Sequence, residues 1–243
     1  MRTTALAFAA LIACGSHPLQ ALAQSACSSD GQPQPRALVE RFISADCEAC
    51  WAAPAAPAAL APGPTALVVD WIVPTPRGDE APLSTAATRE ALERLQTLKR
   101  PAPTLAQGPT DTHITDIAPA RASTAPALRV AHGPAVNDYI GTGMRFAPGV
   151  LAGTPPYQFT LLMVEAIPAG TEGSPIARNV VRNGFQRLLD KRDKLSKKER
   201  SFWTETRTMR LPEGTQAARV RLLGWVQDAR GRVVAAAQSV CPP

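Results

Sequence analysis

Cys47 and Cys50 stand two residues apart, directly after a short and partly alternating apolar run at residues 36–43 (RALVERFI). A C-x-x-C pair has three ordinary uses: a thiol/disulfide exchange site, a passive disulfide, or half of a zinc site. The zinc reading would need Cys27 and Cys241 to converge on the pair, because the chain has no second C-x-x-C. The run before the pair reads as a strand. The Ala-rich stretch from Trp51 reads as a helix, short or kinked at Pro54 and Pro57. Strand, C-x-x-C, helix is the order that places two sulfurs on a first helical turn, where free backbone N–H groups favour a thiolate. In this reading Cys47 is the exposed attacking thiol and Cys50, one turn in, resolves the mixed disulfide. Asp46 and Glu48 flank Cys47 with negative charge and oppose its thiolate, which predicts a stable and weakly oxidising disulfide.

The beginning of the chain decides which cysteines count. Residues 1–4 carry one Arg, residues 5–13 are unbroken apolar, and Pro18 precedes the small-x-small stretch Ala21-Leu22-Ala23. This predicts a secretory leader at residues 1–23, cut after Ala23. A competing expectation is lipoprotein processing, since Leu11-Ile12-Ala13-Cys14 fits a lipidated cysteine that becomes the new N-terminus. Under the first reading Cys27, Cys47, Cys50 and Cys241 remain, an even number in an oxidising, periplasmic or extracellular compartment. Four cysteines permit three connectivities. The expected one pairs Cys27 with Cys241 as a structural disulfide, stapling the lead-in to the last strand.

Beyond the leader, residues 24–35 read as a flexible lead-in. Residues 65–73 (TALVVDWIV) are a β-branched and aromatic run of buried-strand type. Residues 84–98 carry Ala87, Ala91, Leu95 and Leu98 at helical spacing behind a possible Ser84 cap. Residues 36–120 therefore alternate as an α/β module. Apolar runs then recur between Gly, Pro, Asn and Asp turns at 127–131, 136–140, 157–165, 176–181, 203–211, 217–227 and 232–240. In the run at 217–227, Val220, Leu222 and Val226 share one face and Leu223 and Trp225 the other, and residues 228–231 form a hairpin turn. Residues 121–243 accordingly read as a mostly antiparallel, sandwich-like β domain.

Other chemistry is sparse. The sequence has no H-E-x-x-H, G-x-S-x-G, G-x-G-x-x-G or Walker loop, which removes the common hydrolase and nucleotide-binding readings. Of its three histidines only His113 and His132 lie beyond the leader, each alone among small and polar residues. With 26 Lys+Arg against 20 Asp+Glu the chain carries +6. Most of that excess sits at residues 187–200, where seven basic side chains face three acids in a segment that reads as a basic helix. Without interleaved aromatics in an exported chain, this segment predicts a solvated helix or a contact with anionic lipid, and no nucleic-acid partner. After the leader no apolar run approaches the roughly 18 residues of a membrane span. Asp70, inside the run at 65–73, needs a partner or an altered pKa if it is buried.

Taken together, these short motifs resemble the secreted, thioredoxin-like family called domain of unknown function 1223. Ala37-Leu38-Val39-Glu40-Arg41-Phe42 is similar to the family's Val-Val-Glu-Leu-Phe-Thr-Ser, and Cys47-x-x-Cys50 follows at its place. Val69-Asp70-Trp71 resembles the core of its His-Val-Asp-Tyr-Trp. Ala102-Pro103-Thr104-Leu105 with Gly108 resembles its Thr-Pro segment, and Asn179-Val180-Val181-Arg182 a later motif. Asp46-Cys47-Glu48-Ala49-Cys50-Trp51-Ala52 departs from the family's Gly-Cys-Ser-Ser-Cys-Pro-Pro, and Val68 replaces its His. The resemblance implies a thioredoxin-like N-terminal module followed by an all-β portion. It also implies that Pro103 is a cis-proline facing the redox pair and that Asp70 handles protons for Cys50. The expectation is thus a thiol/disulfide exchange protein that acts on protein or small-molecule thiols through Cys47 and Cys50, with no metal or organic cofactor. The alternative is a non-catalytic binding or scaffolding protein whose C-x-x-C is a structural disulfide.

Overall fold

A computed structural model describes residues 27–53, 65–117, 127–149, 152–190 and 202–241. The expected leader, Cys14, the Pro54 and Pro57 stretch and most of the basic segment lie outside these residues. Eleven strands and two short α-helices form the described chain. They are β1 (Cys27–Ser28), β2 (Ala37–Ser44), α1 (Glu48–Trp51), β3 (Ala66–Val73), α2 (Arg89–Thr97) and β4 (Thr110–Asp116). β5 (Ala127–Val136), β6 (Tyr139–Ala147), β7 (Tyr157–Ile167), β8 (Arg178–Leu189), β9 (Trp203–Arg210), β10 (Val220–Gln227) and β11 (Val233–Gln238) follow.

This corrects the fold expectation. The chain is mostly β, and a thioredoxin-like α/β core is not what its first half builds. α1 is a single turn and α2 spans nine residues. β2, β3 and β4 do not form a sheet of their own. They continue a seven-stranded mixed sheet in the order β11-β10-β7-β8-β3-β2-β4. β2 and β3 are parallel, β3 meets β8 in parallel at Asp70 and Val180, and the other pairs are antiparallel. The second sheet, β1-β5-β6-β9, is antiparallel throughout.

The packing follows from strand parity. In β10, Val220, Leu222 and Val226 face a core shared with Val130, Met144, Phe146 and Trp203 of the small sheet. Leu223 and Trp225 point the opposite way, into a core with Phe42, Trp71 and the α2 residues Ala91 and Leu95. The large sheet is therefore covered on both faces: α2 lies over one, and the other carries the small sheet over β7, β10 and β11 and the α1 turn with Trp51 over β2 and β3, so that every residue of β3 is buried. Gly224 marks a close approach of the two sheets, since a Cβ there would lie 2.9 Å from a Val130 methyl of the small sheet, and 3.4 Å from Phe159 on the neighbouring strand.

Several local expectations shift. Residues 84–86 form a 3₁₀ turn rather than the start of the helix, and α2 begins after Thr88, not at a Ser84 cap. Residues 136–140 are the tip of a hairpin whose turn residues Asn137 and Asp138 have positive φ. Arg187 lies on β8, so the described start of the basic segment is strand. The lead-in is tied down: Cys27 is buried, Cys27 and Ser28 pair with His132 and Ala131, and Ser28 exchanges backbone hydrogen bonds with Val240. Among the described residues no helix is long and apolar enough to cross a membrane.

Candidate functional site

Both disulfides are formed: Cys27 bonds to Cys241 and Cys47 bonds to Cys50. Two disulfides fit an oxidising compartment. One ring nitrogen of His132 lies within 4.8 Å of the Cys27 and Cys241 sulfurs. Those sulfurs are bonded to each other, so the trio is a histidine packed on a disulfide and not a ligand set. His132 Nδ1 donates to the Gly133 carbonyl at 2.9 Å and its Nε2 has no hydrogen-bond partner. Burial holds this imidazole below the ordinary histidine range, reinforced by the nearby Arg221 charge and opposed by the Gly133 and Val220 carbonyls.

The Cys47–Cys50 pair sits just past the end of β2. Ser44 closes the strand, with its N–H on the Pro109 carbonyl and its own carbonyl accepting from Cys47 N–H at 3.0 Å. The chain then turns once through α1. The Cys50 N–H donates to Cys47 Sγ at 3.2 Å, and Cys50 and Trp51 N–H groups also point at the Cys47 carbonyl. This geometry supports negative charge on Cys47 sulfur when the bond opens. Exposure runs opposite to expectation: Cys47 is 6% exposed, whereas Cys50 is only partly buried. Cys50 packs against the apolar cluster of Ile43, Ala45, Trp51, Ile72 and Ile167 and is partly covered by it, while Glu48 and Ala49 stay outside.

The flanking acids are also disposed differently than their sequence positions suggest. Asp46 accepts from Thr75 Oγ1 at 3.0 Å and pairs with Arg77 at 3.7 Å. Glu48 is exposed to solvent, where water and salt screen its charge.

Beneath the turn lies a charged cluster built on the face of the sheet that α1 covers. Asp70, fully buried on β3, accepts from Arg41 of β2 at 2.6 Å, from Arg178 of β8 at 3.2 Å and from the Asn179 N–H at 2.8 Å. Every carboxylate oxygen is engaged, and the role in proton transfer to Cys50 suggested for Asp70 has no hydrogen bond to the cysteines behind it. Its link to the pair runs through Arg178. That guanidinium donates to the Trp51 carbonyl at 2.8 Å, to the Cys50 carbonyl at 3.3 Å and to Ser174 Oγ at 2.8 Å, and lies 4.6 Å from the centre of the Trp51 ring. Burial lowers the Arg178 pKa, with Arg41 adding to that effect and Asp70 opposing it. Trp51 is fixed from its other side by its indole N–H on the Glu172 carbonyl at 2.7 Å.

Pro103 is not the cis-proline that the resemblance implies. The one cis peptide among the described residues joins Pro155 and Pro156, so the expected cis-proline is trans. Pro103 lines a pocket with Arg100, Gln107, Gly108 and Asp111 whose lining includes neither cysteine. Arg41 and Arg178 were not apparent as site residues in the sequence. The available signal was the presence of Arg41 and Asp70 inside apolar strands, which demands mutual neutralisation.

No family model matches the chain and no curated protein matches it. Among solved structures it is similar to HBP35 of Porphyromonas gingivalis, at 12% identity and a TM-score of 0.48, over 86% of this chain and 76% of that one.

Proposed function

We propose that the chain is an exported thiol/disulfide exchange protein that acts through the Cys47–Cys50 disulfide. The observation that carries this reading is a disulfide closing a single turn at the rim of the sheet, with one partly exposed cysteine and the other accepting a backbone N–H on its sulfur. Such a bond offers a partly exposed cysteine to an incoming thiolate and a stabilised leaving group.

Relative exposure assigns the roles. An incoming thiolate attacks Cys50 Sγ, the S–S bond breaks, and its electron pair leaves on Cys47 Sγ, where the Cys50 N–H receives the charge. A second partner thiol then displaces Cys50 from the mixed disulfide. The leader at residues 1–23, or lipidation at Cys14, would deliver the protein to the oxidising compartment in which this chemistry operates.

Trapping tests the reading and its polarity together. Cys47→Ala leaves Cys50 to hold a partner in a mixed disulfide, so this variant accumulates adducts with a model thiol peptide activated as its mixed disulfide, and Cys50→Ala accumulates few. The reverse pattern restores Cys47 as the entry point. Adducts with neither variant favour the second reading, a binding or scaffolding protein with a structural C-x-x-C, for which the burial of Cys47 is the supporting observation.

A further inference from the structure

The buried cluster under the C-x-x-C turn carries an unbalanced charge. Arg41, Arg178 and Asp70 are 6%, 3% and 0% exposed, and two guanidinium groups face one carboxylate. Two guanidinium cations against one carboxylate leave the cluster with one net positive charge. The neighbouring buried pair, Glu40 with Arg94, lies on the opposite face of β2 and is neutral, with both carboxylate oxygens engaged at 2.7 Å. The excess charge is not remote from the redox pair. Arg178 Nη2 is 3.3 Å from the Cys50 carbonyl oxygen, and covalent geometry keeps a cysteine sulfur within roughly 5 Å of its own carbonyl oxygen.

We infer that Arg178 is a positioning residue that holds the Cys47–Cys50 turn by its carbonyls and biases the pair toward its reduced, thiolate-bearing form, so that exchange runs in the direction that oxidises partner dithiols. This rests on the exchange reading above. The balance is simple: two thiols of the partner are oxidised to a disulfide, Cys47–Cys50 is reduced to two thiols, and two electrons and two protons pass between them. A positive charge nearby lowers the energy of a thiolate and leaves a neutral disulfide nearly untouched, which raises the reduction potential.

Charges of both signs surround the pair, and their placement decides the sign. Asp46 is engaged by Thr75 and Arg77, and Glu48 is exposed. The Glu172 carboxylate is directed to Arg219. Screening by water weakens these surface charges, while the buried excess acts through a less polarisable medium. The expectation of a weakly oxidising pair, drawn from Asp46 and Glu48 as neighbours in sequence, is thereby reversed.

The test is the equilibrium of the folded full chain with a glutathione redox buffer, read at Cys47–Cys50 by thiol alkylation and mass analysis. Arg178→Gln should shift the equilibrium about tenfold toward the disulfide, equivalent to about 30 mV. Asp70→Asn, which removes the negative member, should shift it the other way, and Arg178→Lys should stay within a few-fold of the unmodified chain. A merely structural role would move Arg178→Gln and Asp70→Asn in the same direction, and that outcome, or no shift in either, overturns the inference. If Arg178→Gln fails to fold by circular dichroism, the sign of the Asp70→Asn shift decides alone. A pair that never opens in the folded unmodified chain defeats the exchange reading itself, whereas a pair that opens but ignores these substitutions defeats only the role given to Arg178.

Discussion

The two disulfides do opposite work. Cys27 and Cys241 are separated by 214 residues and Cys47 and Cys50 by 3. On the chain-entropy account the first constrains the unfolded chain by about 5 kcal/mol and the second by only about 1.5 kcal/mol. Their settings differ in the same sense. Cys27 and Cys241 join the first described strand to the segment after β11, beside the bridge between Ser28 and Val240. That bond holds the edge of the small sheet against the large one. Cys47–Cys50 closes a turn already held by backbone bonds, by Trp51 and by Arg178. A bond that adds little to stability can open and close without unfolding its host. The comparison separates a staple from a bond suited to exchange.

Four experiments press on that contrast. The largest effect is expected from replacing Cys27 and Cys241 by serine, which should lower unfolding free energy by about 5 kcal/mol in urea titrations. A loss as small as that at the other bridge would mean that the ends are held together without the bond. Next, Gly224→Ala forces a Cβ against Val130 where the sheets meet, and overpacking of this kind should cost about 2 kcal/mol. An unchanged urea midpoint would show that the sheets separate freely there and that the staple guards a loose interface.

Replacing both Cys47 and Cys50 by alanine should cost about 1.5 kcal/mol, measured in the same titration. A loss rivalling that of the Cys27–Cys241 pair would make the C-x-x-C bond structural. The smallest effect concerns His132, packed beside the staple. Its folded pKa is lowered by burial from 6.5, so below that pH the unfolded chain binds the extra proton first. Stability should be full above about pH 6.5 and decline as the pH falls through that value. His132→Phe should flatten this part of the profile, and an unaltered slope would assign it to another group.

Much of the strand content was legible because burial on two faces demands particular residues. β3 reads as a continuous apolar run, and the alternation in β10 correctly divided Val220, Leu222 and Val226 from Leu223 and Trp225. β4 and β6 were missed for physical reasons. β4 (TDTHITD) is an edge strand with half its residues exposed and no apolar face to announce it. β6 contains Gly141 and Gly143, which weaken any strand signal. The sheet's continuity was illegible because the junction of β3 with β8 joins segments over 100 residues apart through a single registered pair, Asp70 with Val180. Without that junction, a strand–C-x-x-C–strand segment looks like the start of a separate α/β module.

The site was legible in its sulfur and not in its charge. Cysteine spacing located the Cys47–Cys50 turn, but which of the two is the more exposed depends on how the turn folds at the strand end, which spacing does not encode. Asp70 stood out as a carboxylate in an apolar strand. Its partners Arg41 and Arg178 come from two other strands, so the cluster exists only once the sheet is assembled.

The account turns on whether the C-x-x-C bond opens while the fold stands. Hydrogen exchange and thiol alkylation can be followed together as the folded protein is equilibrated with increasing dithiol. The predicted result is that Cys47 and Cys50 become alkylated while Cys27–Cys241 stays closed and the protected amides of β3, β7 and β10 remain protected. Alkylation of Cys47 and Cys50 only in step with loss of that protection would contradict the account and leave the turn as a structural bridge.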